Sequence, residues 1–531
     1  MNRFDYIVVG GGAAGCVVAA GLARDGRFSV ALLESGRRDT SRWIHTPATF
    51  FKAMQTEDVT TVASEPDPTL DGNVFAVPQG RVLGGGSSVN AMIYMRGQAR
   101  DYDDWAHVHG CAGWTYADVL PMFKAQENNM RLSGDFHGTK GPLVVADPAH
   151  KHRLGHMLID AAQAAGIADT DDFNGAVQDG TGWYQVTAYR GRRNSAAVAF
   201  LRPVLRKRTL TVLTLHLAQR ITFTNRRATG VEAMGPDGPV HLEANKEIIL
   251  TAGAFQSPKL LMLSGIGPAG DLMRLGIDVV HDAPEVGANY QDHVGVPVTM
   301  NLRRPIGLFG ADKGLRGLGH VAQYAAFRRG LLASNLLESG ACVDTSGAGR
   351  PDVQLNFTPF APGPPGTPPL EMHAVNINPM TMRPKSRGHL ALRDANPTSE
   401  LKFTANILAD DSDMDTLRRG VRLARRIYQQ ATVRAELGDE IWPGRDVSSA
   451  TGSNALDPAI RKQARTIFHP SGTCRMGPGP AAVVDPCLRV NGVAGLRVAD
   501  CSIMPALTSG NTNAPAMMIG GRAVAFILAD A

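Results

Sequence analysis

The stretch that most constrains this chain is Gly10-Gly11-Gly12-Ala13-Ala14-Gly15, which sits between two short apolar runs. Before it stands Phe4-Asp5-Tyr6-Ile7-Val8-Val9; after it a helical stretch continues through Ala23, and the run Phe28 to Leu33 then closes on Glu34. Strand, glycine turn, helix, second strand and an acid about 20 residues past the last glycine make up a dinucleotide-binding unit. Gly10 permits the turn, Gly12 lets a pyrophosphate approach the backbone and the helix N-terminus, and Gly15 allows close helix-strand packing. Ala13 and Ala14 open the helix, and Glu34 is placed to accept hydrogen bonds from ribose hydroxyls. The unit alone does not separate FAD from NAD, although its place at the N-terminus leans toward FAD.

A second glycine-rich loop, Gly80-Arg81-Val82-Leu83-Gly84-Gly85-Gly86-Ser87-Ser88-Val89-Asn90, offers exposed backbone donors and short hydroxyls suited to an anionic or polar ligand. The alternative is a flexible turn, for which Arg81 and Asn90 are unusual furnishings. Further on, strand-like runs at 210–217, 221–224, 230–233 and 247–250 lead through Thr251-Ala252-Gly253-Ala254 to a helix expected from Ser257 to Leu263. This repeats the geometry of the first turn.

At 531 residues the chain exceeds one ordinary core, and two joined domains are expected. We place a cofactor domain at 1–297, a substrate domain at 298–463, and a return to the first domain at 464–531. The net charge of +5 is spread over pairs such as Arg192-Arg193 and Arg303-Arg304, which reads as a basic solvated surface rather than a nucleic-acid site. Six scattered cysteines without a Cys-x-x-Cys pair suggest neither a disulfide framework nor a zinc site, and fit a reducing cytoplasm. No metal site is expected. No apolar run reaches membrane-spanning length, which leaves peripheral membrane attachment open. The cluster Asp101-Tyr102-Asp103-Asp104-Trp105 reads as the first turn of a helix.

The C-terminal part is dense in motif. Ile467-Phe468-His469-Pro470-Ser471-Gly472 sets a histidine before a proline, which excludes a helix interior and puts His469 at a strand or loop end. Strand-like residues run up to Ala499 and Asp500, a loop passes Ser509-Gly510-Asn511-Thr512-Asn513, and a helix is expected over 516–528. A second amphipathic helix is expected over 414–430, and the proline-rich run 359–369 reads as a surface loop.

Taken together, these residues resemble the glucose-methanol-choline (GMC) oxidoreductases, FAD enzymes that oxidise alcohols. Residues 80–97 are similar to one signature of that family and 253–267 to another. The resemblance implies an α/β fold: a Rossmann-like FAD-binding domain, with a second substrate-binding domain on a mostly antiparallel sheet flanked by helices. It further implies that Gly10, Gly12, Gly15 and Glu34 hold the ADP half of FAD, with Ala218 near the adenine. Arg81, Gly85, Ser88, Asn90 and Ala91 would flank the pyrophosphate and flavin, Ala499 and Asp500 would reach the ribityl and phosphate region, and Asn513 would lie close to the flavin. His469 falls on the catalytic histidine and Asn511 on its partner. Val89 stands where covalently linked members carry histidine, so non-covalent FAD is expected. Within the family the chain is most similar to the bacterial choline, polyethylene glycol and L-sorbose dehydrogenases. The implied partners are an alcohol substrate and an electron acceptor (a quinone, a dye-like carrier or oxygen); a homo-oligomer is compatible with this. A non-redox hydroxynitrile lyase on the same fold is a competing expectation. With 6% aromatic residues there is little to build a cage for the choline cation, which tilts the expectation to a neutral polyol, sugar or aliphatic alcohol.

Overall fold

The computed structural model describes residues 2–365, 367–444, 447 and 456–531. The chain opens with β1 (Arg3–Val9), α1 (Ala13–Asp25) and β2 (Val30–Glu34), continues through α2 (Ala99–His107), α3 (Arg153–Ala164) and β3 (Gly180–Trp183), and then runs into β4 (Leu210–Thr214), β5 (Leu217–Thr224), β6 (Arg227–Gly235), β7 (Gly238–Leu250) and α4 (Gly253–Leu263). It next forms β8 (Val294–Gly295), β9 (Val298–Leu302), β10 (Ser339–Val343), β11 (Val353–Thr358) and β12 (Ala374–Thr381). Last come α5 (Asp411–Tyr428), β13 (Leu437–Trp442), β14 (Arg465–Thr466), β15 (Leu496–Val498) and α6 (Asn513–Asp530).

Two sheets carry the molecule. The first runs β4-β2-β1-β7-β6-β5, with β15 beside β7. Its β4, β2, β1, β7 and β15 pair in parallel, and β5 and β6 join antiparallel. Ile7–Val9 of β1, Val30–Leu33 of β2 and Ile248–Leu250 of β7 are buried apolar runs, the pattern of parallel strands covered on both faces. On one face lie α1 and α6, packed close enough that a Cβ at Gly21 would stand 2.7 Å from the Val524 side chain, and one at Gly520 2.7 Å from the Ala14 carbonyl.

The second sheet, β13-β9-β12-β11-β10-β3, is antiparallel, with β8 bridging β12 to β14. The mixed α/β architecture read from the sequence is therefore present. Two strands of this sheet, β3 and β8, come from within 1–297. Helix α5 packs on the face carrying Val375 and Ile377, and its Tyr428 hydroxyl donates to the Val298 carbonyl at 3.0 Å. Its amphipathic pattern explains the docking: Met414, Leu417, Val421 and Ile427 are buried, and Asp410 caps the Ser412 amide at 2.9 Å.

Helix α5 spans Asp411–Tyr428 rather than 414–430, and two further helix starts differ from expectation, both involving proline. Helix α6 begins at Asn513 rather than 516, because Pro515 falls in the first turn, where its missing N–H costs nothing. Helix α4 begins at Gly253 rather than Ser257 and carries Pro258 inside it. Pro258 cannot donate to the Ala254 carbonyl one turn back; the Thr473 hydroxyl donates there instead, at 2.6 Å. That bond ties the helix to the segment bearing His469. The proline-rich run 359–369 forms neither helix nor strand, apart from Gly366, which lies outside the described residues.

Candidate active site

His469 is held by a short antiparallel ladder. The Ile467 amide donates to the His293 carbonyl at 3.0 Å, and Gln291 and Ser471 exchange two amide bonds of 3.1 and 2.9 Å. This sets Asp292 and His293 directly against His469. The Asp292 carboxylate accepts from the His469 amide at 2.9 Å, from the Tyr290 hydroxyl at 3.2 Å, and from the Thr466 hydroxyl. Phe468, just before, sits at φ 69°, an uncommon conformation for an aromatic residue, with its ring half exposed.

The ring hydrogen bonds fix the imidazole tautomers. His293 Nε2 faces the Met382 carbonyl at 3.0 Å, and a carbonyl only accepts, so this nitrogen carries the proton. In neutral His293, Nδ1 is then a lone pair; it lies 2.8 Å from His469 Nδ1, which must donate to it. His469 Nε2 is thereby left unprotonated and accepts from Asn511 Nδ2 at 3.1 Å. Burial pushes His293 down to about 4, and burial with the neighbouring His293 holds His469 well below the ordinary histidine range. Both rings are thus neutral near pH 7, and His469 presents a free base toward Asn511. Burial also raises the Asp292 carboxyl to about 7.

Asn511 is fixed in turn. Two residues earlier, the Ser509 amide and hydroxyl each donate to Asp101 at 2.7 Å. Asp101 also closes a capping box with Gln98 at the start of α2 and pairs with Arg350. The acid cluster read as a helix first turn does that and also anchors the Asn511 loop. The sequence singled out His469 and Asn511, and the structure brings them together; His293, Asp292 and Asp101 were seen only as landmarks.

The two glycine turns pack against each other. The Gly84 amide donates to the Gly11 carbonyl at 2.7 Å, and a Cβ on Gly85 would stand 2.8 Å from Gly12 Cα, so the second loop docks on the first. A Cβ on Gly15 would lie 1.9 Å from the Gly10 carbonyl, whereas one on Gly12 would meet nothing closer than 3.7 Å. Gly15 therefore serves packing, and Gly12 keeps open space at the start of α1, beside Ala13 and Ala14, as a pyrophosphate requires. Glu34 accepts from the Gly11 and Gly36 amides at 2.8 and 2.7 Å, and burial raises its carboxyl to about 6. Ala218 lies at the start of β5, just after His216, whose amide donates to the Glu34 carbonyl at 2.9 Å.

Several other expected cofactor residues are engaged by the protein itself. Ser88 donates to the Leu83 carbonyl at 2.7 Å. Both Asp500 oxygens are occupied, one by the Gly253 amide and Ser257 hydroxyl (2.9 and 2.6 Å), the other by the Ser502 amide (2.8 Å). The Ala499 amide donates to the Leu250 carbonyl at 2.8 Å, and the Ala91 carbonyl accepts from Asn335 at 2.9 Å. Arg81 is exposed at the mouth of the loop, and Asn513 is half-buried at the start of α6. Asn90 accepts from Arg193 through both its side chain and its carbonyl, each at 2.6 Å. Arg193 also donates to the Ser87 and Ile44 carbonyls, at 3.1 and 2.8 Å, and is 2% exposed. It is a buried staple of the second glycine loop, and the reading of Arg192-Arg193 as solvated surface charge is corrected for this residue. Val89 packs with Ile44, Ala53 and Val82.

Next to the His469–Asn511 pair lies one face of the second sheet. The register puts Cys342, Gln354 and Met380 in one row, Gly340, Asn356 and Asn378 in the next, and Thr358, Asn376 and Thr299 in the third. These residues include no carboxylate; the third row continues from Thr299 to Trp442, and the Tyr184 hydroxyl lies 3.4 Å from Gln354 Nε2. Gln354 Nε2 lies 3.5 Å from Asn511 Oδ1, which joins this face to the His469–Asn511 pair.

The nucleotide turns and the His469–Asn511 pair on one scaffold define a flavin-dependent alcohol oxidoreductase. The chain belongs to the GMC oxidoreductase family: the N-terminal family profile matches residues 4–295 and the C-terminal profile residues 384–520. It is 40% identical over 529 residues to the oxygen-dependent choline dehydrogenase of Brucella anthropi, covering 99% of this chain and 95% of that one. The Sinorhizobium medicae protein of the same name is likewise 40% identical, with the same coverage. Among solved structures, pyridoxine 4-oxidase from Mesorbium loti superposes with a TM-score of 0.89 at 29% identity, covering 98% of both chains. Formate oxidase from Aspergillus oryzae RIB40 gives 0.90 at 25% identity, covering 100% of this chain and 98% of that one. The family works with FAD on alcohol substrates and passes electrons to an acceptor. No helix among the described residues is long and apolar enough to cross a membrane.

Proposed function

We propose that the protein oxidises the primary alcohol of a neutral polyol, sugar or aliphatic chain to the aldehyde, with His469 as base and FAD held without a covalent link. The observation that carries this is the tautomer chain from Met382 through His293 to His469, which leaves Nε2 unprotonated with its lone pair turned to Asn511. An alcohol is too weak an acid to ionise alone near neutral pH, so the base must take its proton as the C–H bond breaks. His469 Nε2 takes the hydroxyl proton, and the Asn511 carboxamide donates to the developing oxyanion; losing such a donor costs about 3 kcal/mol of barrier. When bound, FAD supplies the hydride acceptor. Gly10, Gly12 and Gly15, with Ala13 and Ala14, would admit its pyrophosphate. Glu34 and Ala218 would flank the adenosine, and Arg81, Gly85, Ser88, Asn90, Ala91, Ala499, Asp500 and Asn513 would line the rest.

The packed Val89 offers no nucleophile for a covalent link, which supports the non-covalent assignment. A choline substrate is the second reading, favoured by the 40% identical choline dehydrogenases. Against it stands a sheet face whose three rows place amides and hydroxyls, and no carboxylate, opposite a quaternary ammonium. The same relatives favour oxygen as acceptor, with a quinone or dye-like carrier as the alternatives. We place the protein in the cytoplasm, free or peripherally attached to a membrane, as a monomer or homo-oligomer. An anaerobic panel of alcohols, including choline, scored by flavin bleaching and followed by air or a quinone, tests the reading. Bleaching by neutral alcohols supports it; cyanohydrin cleavage without bleaching would replace it with a lyase.

A further inference from the structure

Gln354 is fully buried, yet its Oε1 has no hydrogen-bond partner, an uncommon state for a buried polar atom. Its Nε2 faces Asn356 Oδ1 at 3.4 Å and Asn511 Oδ1 at 3.5 Å. Exchanging the two ends of the amide would set oxygen against oxygen at both places, so the orphan atom is the acceptor. One row along, Asn378 is part-exposed within an otherwise buried strand, and its carboxamide has no partner among the described residues. A Cβ at Gly295 would lie 2.7 Å from Asn378 Nδ2, so a glycine there keeps space clear beside this amide. Asn356 Nδ2, between them, reaches only the Met380 sulfur, at 3.8 Å.

We propose that Gln354, with Asn356 and Asn378, forms a subsite that reads the additional hydroxyl groups of a polyhydroxy alcohol whose terminal CH2OH lies at His469 and Asn511. The inference rests on the alcohol-oxidising function proposed above and narrows it. The face offers one buried acceptor, Gln354 Oε1, and free amide donors on Asn378 and Asn356. A hydroxyl serves both, because it donates and accepts. An alkyl chain would leave the acceptor buried and unpaired, and a trimethylammonium group has no proton to give it. Discrimination by such a site is strong, because the wrong ligand strands a polar group.

The test uses the flavin-loaded protein and two matched probe pairs, glycerol with n-propanol and sorbitol with n-hexanol. Anaerobic flavin reduction in the wild type should favour each polyol by at least about tenfold in kred/Kd. In Gln354→Met the ratio of polyol to n-alkanol kred/Kd should fall about tenfold or more, whatever the absolute rates, because Gln354 also contacts Asn511. A wild type that favours n-alkanols, or a preference surviving intact in Gln354→Met, overturns the subsite. If Gln354→Met fails to retain flavin, Asn378→Ala is read in the same way: loss of preference supports the subsite and an intact preference overturns it. If no alcohol bleaches the wild type, the redox reading falls and the subsite is judged by binding. A sorbitol-induced shift of the flavin spectrum that is lost in Gln354→Met then supports it; an equal shift in both proteins, or none in the wild type, overturns it.

Discussion

His293 and His469 face each other through their Nδ1 atoms at 2.8 Å, with ring planes at 89°. One of the two must donate, and the Met382 carbonyl decides which. The direction of that single hydrogen bond puts the basic lone pair on the side of His469 that faces Asn511.

For His469→Ala, the rate of anaerobic flavin reduction should fall about a hundredfold or more, with FAD still bound, as read by stopped-flow absorbance. For Asn511→Ala the loss should be smaller and felt mainly in kcat. An unchanged bleaching rate in His469→Ala would remove this residue from catalysis.

His293→Ala should cost about ten- to a hundredfold in flavin reduction, the range typical of a residue that orients another. His293→Asn, whose carboxamide offers one acceptor and one donor, should recover part of that loss. If His293 were merely a packing residue, the two variants would track each other in thermal stability and leave the pH profile unmoved.

The pH profile follows from the shifted groups. Neutral His469 is the active form and its ring titrates well below the ordinary value, so activity lost by protonating it is lost only below pH 6.5. Asp292 bonds the His469 backbone, and its carboxyl is raised to about 7; its ionisation adds negative charge that favours the imidazolium formed in the reaction. Flavin-reduction rates should therefore climb in two stages, one in the acid range and one near pH 7. In Asp292→Asn the upper stage should vanish and the lower one remain.

Two neighbouring glycines should fail differently. Gly12→Ala has room in the protein and should fold, but purify with little flavin. Gly15→Ala drives a Cβ to 1.9 Å from the Gly10 carbonyl and should lower thermal stability or prevent folding. Soluble yield, melting temperature and flavin absorbance separate the outcomes.

Arg193→Met should weaken FAD retention and lower the melting temperature together, since it strips donors from three carbonyls and the Asn90 side chain. Apoprotein titrated with FAD, alongside a thermal scan, checks both.

What the sequence disclosed follows from how local each signal is. The βαβ unit and the His469-Pro470 loop are written in contiguous residues, through glycine, proline and apolar runs, and were legible. His293 was not, because it lies 176 residues from its partner and only ladder pairing joins them. Arg193 carries the chemistry of a surface residue, and only burial among carbonyls reveals its role. Strand β3 reads Gly-Thr-Gly-Trp, a poor strand by composition. Its glycine is nonetheless required, because a Cβ on Gly182 would stand 2.0 Å from the Thr170 carbonyl.

Strand β3 also limits how this scaffold can be re-engineered. It enters the second sheet from the amino-terminal half and pairs with β10 from Gly180↔Cys342 to Trp183↔Ser339. A chimera exchanging 298–463 alone would import a sheet whose outer strand meets a foreign neighbour, leaving a row of amides and carbonyls poised for intermolecular association. Recombination in this protein should therefore carry the segment around 180–183 along with the layer it borders.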